Sequence, residues 1–180
     1  SLTWFINDDL QARFGYSKTV VRPDLREVTP VLYVDPLTDF KVTGFAGLKS
    51  TDISSADIRL EWYYDSSNYS VGVFYKDLDN PIEAIELSGS DGNLLMSFRN
   101  AQSGTLYGVE AEFLQQLDMF SGDFGNIADN FFLAGNLTVS ESEINIQPFP
   151  GADLTNLERG LSGHSKYVAN LQLGFDADNN

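Results

Sequence analysis

The sequence contains no cysteine and only one histidine in 180 residues. The absence of cysteine excludes disulfide bonds, thiolate metal sites and a cysteine nucleophile. Basic residues are also scarce, since 11 Lys and Arg stand against 26 Asp and Glu and give a formal net charge of −15. Because nucleic-acid binding depends mainly on basic contacts to phosphate, we expect no nucleic-acid partner.

Long apolar runs and helical patterns are also lacking. No stretch approaches the roughly 20 apolar residues that a membrane-spanning helix needs, and no secretory leader is recognisable at the start. The first residues already read as a strand, so we expect the chain to be part of a longer protein. The best helix candidate is a short segment over 152–160, between a capping Asp153 and a terminating Gly160.

Strict alternation of apolar and polar residues fills most of the chain and predicts an all-β protein. About seven long antiparallel strands are expected in an up-and-down meander, with a weaker pair of strands within 82–100. Alternation alone permits two interpretations. In a soluble protein the apolar face lines a core, whereas in an outer-membrane barrel it contacts lipid and the polar face borders an aqueous lumen.

The connections between the predicted strands favour the barrel. Short turns are predicted near 7–9, 65–68, 121–130 and 176–180, and long segments near 22–53, 77–103 and 147–165. Short and long connections therefore alternate, as they do in transmembrane barrels with short periplasmic turns and long external loops. Loops beyond about 12–15 residues are uncommon in compact soluble domains.

Aromatic residues gather near the predicted strand ends. Amphipathic rings at these positions are typical of the two girdles at the membrane interfaces, although aromatic residues favour strands in any case. The predicted girdle residues are Trp4, Tyr16, Tyr63, Tyr64, Tyr69, Tyr75, Phe131, Phe132, Tyr167 and Phe175.

Five segments, taken in order, resemble a late part of the barrel of TonB-dependent receptors from the Gram-negative outer membrane. They are YSKTVVRPDLREVTP (16–30), GLKSTDISSADIRLEWYY (47–64), YSVGVFYKDLDNPIE (69–83), GTLYGVEAEFLQQL (104–117) and LSGHSKYVANLQLGFD (161–176). The resemblance implies that residues 1–180 are a partial segment of a barrel of roughly 22 strands, without a separate second domain. No plug domain, TonB box or closing aromatic strand is recognisable.

The resemblance also implies a function and its partners. The complete receptor would contact outer-membrane lipid and import a scarce nutrient, such as a siderophore, cobalamin or an oligosaccharide. Its own N-terminal plug would block the lumen, and the inner-membrane TonB complex would pull on that plug. Phe74, which interrupts a polar row, is expected to pack on the plug or on a loop.

The isolated segment is not expected to transport anything. We expect it to curl, stack its apolar faces or self-associate through its strand edges. The alternative interpretation is a soluble, secreted all-β module that binds carbohydrate or serves in adhesion. The parent gene would discriminate between the two, since a transporter needs a plug upstream and a closing strand downstream.

The long segment at 22–53 is the best candidate for contact with a ligand. Charged and aromatic side chains on an external loop can pair with a chelate or stack on a sugar. The alternatives are packing within the loop and closure over the plug. The candidate ligand-contact residues are Arg22, Arg26, Tyr33, Asp35, Asp39, Phe40 and Lys41.

No catalytic, cofactor or metal site is expected. His164 can be drawn with Ser162 or Ser165, but neighbouring loop positions rarely reach the geometry of a catalytic triad. The Asp-rich segments DFGNIADN and DADNN lack the spacing of a dedicated calcium loop. Ordinary turn chemistry accounts for their composition.

Two carboxylates on one predicted strand could also suggest acid–base chemistry. Glu110 and Glu112 lie on the same face, close enough to form a carboxylate pair. In an aqueous lumen, we expect them to be solvated or paired with Arg13 and Arg59 on nearby strands. A structural role is therefore the stronger interpretation.

Overall fold

The computed structural model describes residues 1–36, 38–88, 94–117, 130–147 and 158–176. Within these ranges the chain forms twelve strands and one short helix, which is consistent with the predicted all-β class. In chain order they are β1 (Leu2–Phe5), β2 (Leu10–Val21), α1 (Leu25–Val28), β3 (Leu32–Val34), β4 (Lys41–Thr43), β5 (Thr51–Tyr64), β6 (Ser67–Asp79), β7 (Ile82–Ser88), β8 (Leu94–Asn100), β9 (Ser103–Gln116), β10 (Phe131–Asn145), β11 (Glu158–Arg159) and β12 (Tyr167–Phe175).

Eight of the strands form one antiparallel sheet, which we call the main sheet. Its order is β1-β2-β5-β6-β9-β10, and both β12 and the short β11 pair with β10. The predicted meander of seven long strands is confirmed, and β11 is an addition to it. Strands of up to 15 residues, such as β10, greatly exceed the roughly 5–6 residues that are average for soluble proteins.

The main sheet has one apolar face and one polar face, because side chains alternate along each strand and the register keeps like residues together. A central row of the apolar face runs through Phe14, Ile58, Val73, Val109 and Val139 on five adjacent strands. Ile58, Val73 and Val109 are each about half exposed, at 50%, 49% and 48%. A sandwich would bury such a row against a second sheet, so these exposures contradict the soluble interpretation.

Aromatic side chains form two rows across the apolar face. Tyr16, Tyr75 and Tyr107 lie in one cross-strand row, and the other contains Trp62 and Tyr69 with ring centroids 5.4 Å apart. The rows are six positions apart on β6, a distance of about 20 Å along the strand. The arrangement is typical of interfacial girdles.

Two of the predicted girdle residues lie on the wrong face. Tyr63 belongs to the polar face, where its hydroxyl donates to Glu61 Oε2 at 3.0 Å. Phe132 also belongs to the polar face, and its ring covers Gly174 on the neighbouring strand. Adjacent aromatic residues on a strand must point to opposite sides, so only one member of each pair, Tyr63–Tyr64 and Phe131–Phe132, can join a girdle.

Phe74 packs on a neighbouring strand of the same sheet. It lies directly opposite Gly108, and a Cβ added at Gly108 would come within 2.7 Å of the Phe74 ring. Phe113 covers Gly135 in the same way on the other face. An aromatic ring that covers a glycine supplies the side-chain packing that glycine lacks in a strand.

Substitution of Gly108 by alanine is expected to lower the free energy of unfolding by about 1–3 kcal/mol, because overpacking displaces the Phe74 ring. The added Cβ would also meet the Val139 carbonyl oxygen at 2.6 Å. Denaturant unfolding of the full-length protein, reconstituted in lipid, measures the loss. Gly160→Ala is the control, since its Cβ would meet Ser142 at an ordinary 3.6 Å, and an equal loss in both variants would contradict this packing.

All three long connections leave the main sheet at one end. They span 22–50, 80–102 and 146–166, and we call them the first, second and third connections. The short β1–β2 and β5–β6 turns lie at the opposite end, which confirms the predicted alternation there. The predicted turn at 121–130 and the segment at 176–180 lie mostly outside the described residues.

The first and second connections combine into a small sheet of order β3-β4-β8-β7. Strands β3 and β4 form a hairpin, β7 and β8 form another, and β4 runs parallel to β8. The β7–β8 hairpin confirms the weaker strand pair that was predicted within 82–100. Val42 and Ile85 are buried in this sheet at 4% exposure each.

The prediction of a helix at 152–160 is wrong for the last residues of that segment, which the structure describes. Residues 152–157 lie outside the described ranges, but Glu158 and Arg159 form strand β11 against Asn145 and Ile144. Helix α1 lies elsewhere, at Leu25–Val28. A capping box stabilises it, since the Arg26 N–H donates to Asp24 Oδ1 at 3.0 Å and the Asp24 N–H donates to Glu27 Oε2 at 2.8 Å.

Within the described part of the chain, no helix has the length and apolar character that a membrane-spanning helix requires.

Candidate functional site

Five of the seven candidate ligand-contact residues lie on the β3–β4 hairpin. Tyr33 and Lys41 are half-buried strand residues, whereas Asp39 and Phe40 are exposed at the turn. Two backbone hydrogen bonds of 2.9 Å shape the turn, one from Asp35 N to Phe40 O and one from Asp39 N to Asp35 O. The turn therefore holds the backbones of Asp35, Asp39 and Phe40 close together.

Arg22 and Arg26 belong to the segment that leads into the hairpin. Both are exposed, and Arg26 lies in helix α1. The helix packs closely on buried Gly44 after β4, where an added Cβ would lie 2.7 Å from the Arg26 carbonyl and 2.8 Å from that of Glu27. The first connection thus holds all seven candidates, with Arg26 near one end of β4 and the turn at the other.

A charged cluster occupies the polar face of the main sheet. The Arg59 guanidinium pairs with three carboxylates: Glu61 at 3.2 Å, Glu110 at 3.4 Å and Glu112. Arg13 contributes a second cation, 3.2 Å from Glu61. The expected pairing of Glu110 and Glu112 with Arg59 is confirmed, whereas Arg13 pairs with Glu61 instead. With two cations and three carboxylates, the cluster keeps an excess negative charge.

Glu61 lies at the centre of a polar network on this face. Its side chain is only 10% exposed, yet it accepts hydrogen bonds from Gln11 and from the Tyr63 hydroxyl besides its two arginine partners. Buried carboxylates need such partners, since an unpaired charge is costly to bury. The partners reside on β2 and β5, so the network ties these two strands together.

A second ion pair joins the second and third connections. Glu83 on β7, with its side chain only 4% exposed, accepts from Arg159 Nη2 at 2.8 Å and from Ser162 Oγ at 2.7 Å. The Arg159 guanidinium also donates to the carbonyl of Ala84 at 3.4 Å. We call Glu83, Arg159 and Ser162 the clasp.

Asn100 joins the first and second connections. Its amide oxygen accepts from Lys49 N at 2.7 Å, and its amide nitrogen donates to Lys49 O at 2.9 Å and to Asn80 O at 2.8 Å. The Arg99 guanidinium lies 3.4 Å from the centroid of the Phe45 ring, a cation–π contact between the same two connections. Burial lowers the pKa of Arg99.

His164 fastens the third connection to β10. Its two ring nitrogens lie 2.8 Å from Ser140 Oγ and 2.8 Å from Ser142 Oγ. Neither predicted serine takes part, since Ser162 belongs to the clasp and Ser165 Oγ donates to the Tyr167 carbonyl. The histidine therefore has a structural role, since it holds the third connection on strand β10.

Across the ranges that the structure describes, no group of three or more His, Cys, Asp and Glu side chains could hold a metal ion. The clasp and Asn100 are the features that sequence reasoning missed. The burial of Glu83 could have been predicted, because Glu83 alternates in step with Pro81 and Ile85, which are both buried. A carboxylate among buried positions of a strand indicates a paired charge, although the partner of Glu83 is distant in sequence.

Comparison with known proteins decides the family. The family model for the TonB-dependent receptor-like β-barrel matches residues 1–180. The chain belongs to the TonB-dependent receptor family. Receptors of this family act in transport at the Gram-negative outer membrane. No curated protein matches the chain in sequence.

Solved structures of TonB-dependent siderophore receptors share the fold. The siderophore receptor PirA from Pseudomonas aeruginosa is 16% identical with a TM-score of 0.60, over 82% of this chain and 30% of that chain. A mutant of the ferric enterobactin receptor PfeA from the same organism, in complex with enterobactin, is 17% identical with a TM-score of 0.60. The match covers 97% of this chain and 25% of that chain. The siderophore receptor PirA from Acinetobacter baumannii is 16% identical with a TM-score of 0.57, over 98% of this chain and 26% of that chain.

This TonB-dependent receptor chain thus spans between a quarter and a third of the length of those structures. At such low identity the likeness concerns the fold alone. The family assignment replaces the alternative of a secreted carbohydrate-binding or adhesion module.

Proposed function

We propose that the chain forms part of the barrel wall of an outer-membrane transporter that imports a small, scarce nutrient. One observation carries this proposal: the main sheet leaves its apolar rows about half exposed between two aromatic rows. Such a surface matches the hydrocarbon layer and its two interfaces. The apolar face then contacts outer-membrane lipid, and the polar face borders the lumen.

The proposed transporter needs parts outside this chain. We assign the remaining strands of the barrel, an N-terminal plug and the energised TonB complex to the complete receptor. The charged cluster around Arg59 supports a plug partner, because its surplus carboxylate charge suits basic side chains in the lumen. The function is transport, and it requires no catalytic group from this chain.

The β3–β4 hairpin is proposed to contact the nutrient, through Tyr33, Asp35, Asp39, Phe40 and Lys41, with Arg22 and Arg26 beside it. The exposed Phe40 and the half-buried Tyr33 can stack on a sugar ring or on an aromatic chelator. The net charge of −15 disfavours a strongly anionic ferric chelate and favours a neutral ligand such as an oligosaccharide.

Growth on single nutrients tests the proposed transport. A strain lacking the gene is expected to lose growth at limiting concentrations of one nutrient, with oligosaccharides and ferric siderophores supplied in turn. Plasmid-borne receptor should restore growth, and a plasmid variant with alanine at Phe40 and Lys41 should restore it only at about tenfold higher nutrient. Unchanged growth of the deletion strain on every nutrient, under conditions where the receptor is produced, would refute import of these classes.

A further inference from the structure

The small sheet connects two features that lie far apart in sequence. Its order, β3-β4-β8-β7, puts the candidate ligand hairpin at one edge and the Glu83-bearing strand at the other. The clasp holds β7 to the third connection, which is itself fixed on β10 by β11 and by His164. A path of paired strands, joined by the side-chain bonds of the clasp between the third connection and β7, therefore runs from the barrel wall to the hairpin.

The clasp holds the edge strand β7 to the third connection through polar side chains. Glu83 is buried, so its carboxylate depends on Arg159 and Ser162 to compensate for lost hydration. Arg159 is 31% exposed and reaches Glu83 from the adjacent connection. Loss of either charge leaves the other without its partner, which favours separation of β7 from the third connection.

The middle of the path is also tied by side chains. The bonds between Asn100 and Lys49 hold the first connection to the end of β8, and the contact of Arg99 with Phe45 lies beside them. Parallel pairing of Lys41 and Val42 with Leu95 and Met96 links β4 directly to β8. A shift of β7 is therefore transmitted to β4, which carries one side of the hairpin.

We propose that Glu83 and Arg159 are positioning residues that set the orientation of the ligand-contact hairpin from the opposite edge of the small sheet. The described parts of the three long connections then move together. The assignment of a ligand to the hairpin rests on the proposed function, but the mechanical link does not. It can be measured without any ligand.

Hydrogen exchange read by mass spectrometry tests the link in the full-length receptor, reconstituted in lipid without ligand. In Glu83→Gln, amides of 158–166 and of the hairpin at 32–43 are both expected to exchange about tenfold faster. Arg159→Gln should have the larger effect, because it leaves a buried carboxylate without its cation. Glu83→Gln combined with Arg159→Gln should restore part of the protection, since two neutral amides can bond to each other.

Glu86→Gln is the matched control, because Glu86 lies on the same strand with its side chain exposed. It should leave exchange unchanged in both segments. Faster exchange at 158–166 with an unchanged hairpin would overturn the proposal, as would no change in either segment or no restoration in the double variant. Failure of the growth experiment would leave these exchange results valid, so the two proposals can fail separately.

Discussion

Replacement of Val71 by arginine is expected to destabilise the lipid-inserted receptor by about 2–4 kcal/mol, the cost of a cation near the bilayer midplane on the lipid face of a barrel. Val71 lies between the aromatic rows, opposite Leu60 on β5 and Ala111 on β9. No carboxylate belongs to that row on either neighbouring strand. The arginine must therefore reach toward an interface or remain unpaired in hydrocarbon.

Ser70→Arg is the control for this experiment, one position away on the polar face. Ser70 lies opposite Glu61 and Glu112, so an arginine there gains carboxylate neighbours and water. We expect its free energy of unfolding to stay within about 1 kcal/mol of the unsubstituted receptor. Denaturant titration in lipid vesicles gives both values, and the assignment of the two faces fails if Ser70→Arg is the more damaging change.

The faces of the main sheet were predictable because alternation is a local property. Within β6, the order Tyr69, Val71, Val73 and Tyr75 defines the apolar side without reference to any other strand. Pairing in the main sheet then joins each long strand to the next long strand along the chain, since the shorter strands between them belong to the connections. Tyr63 and Phe132 lie near strand ends but in the polar phase of the alternation, and the alternation decides which face they belong to.

The arrangement of the connections was not predictable in the same way. The parallel pairing of β4 with β8 joins segments about fifty residues apart, and no local pattern encodes that choice. The partners of Glu83 are equally remote in sequence. The helix prediction at 152–160 failed because a capping residue and a glycine were read as helix signals, whereas pairing with β10 decided the structure of Glu158 and Arg159.

Arg59→Gln is expected to lower the free energy of unfolding by about 2 kcal/mol. The variant leaves Glu61, Glu110 and Glu112 without the cation that they share, and the first of these is nearly buried. The loss is smaller than that of a fully buried pair, because the Arg59 side chain is 30% exposed and water screens part of the repulsion. Unfolding of the lipid-reconstituted receptor by denaturant provides the measurement.

Two further variants separate this charge effect from simple loss of packing. Arg13→Gln removes a cation that is 51% exposed and has Glu61 as its partner, so it should cost about 0.5 kcal/mol or less. Arg59→Gln combined with Glu112→Gln should recover part of the stability, because fewer like charges remain together. If the double variant is as unstable as the sum of the single changes, the carboxylates do not repel one another and Arg59 stabilises the wall by packing alone.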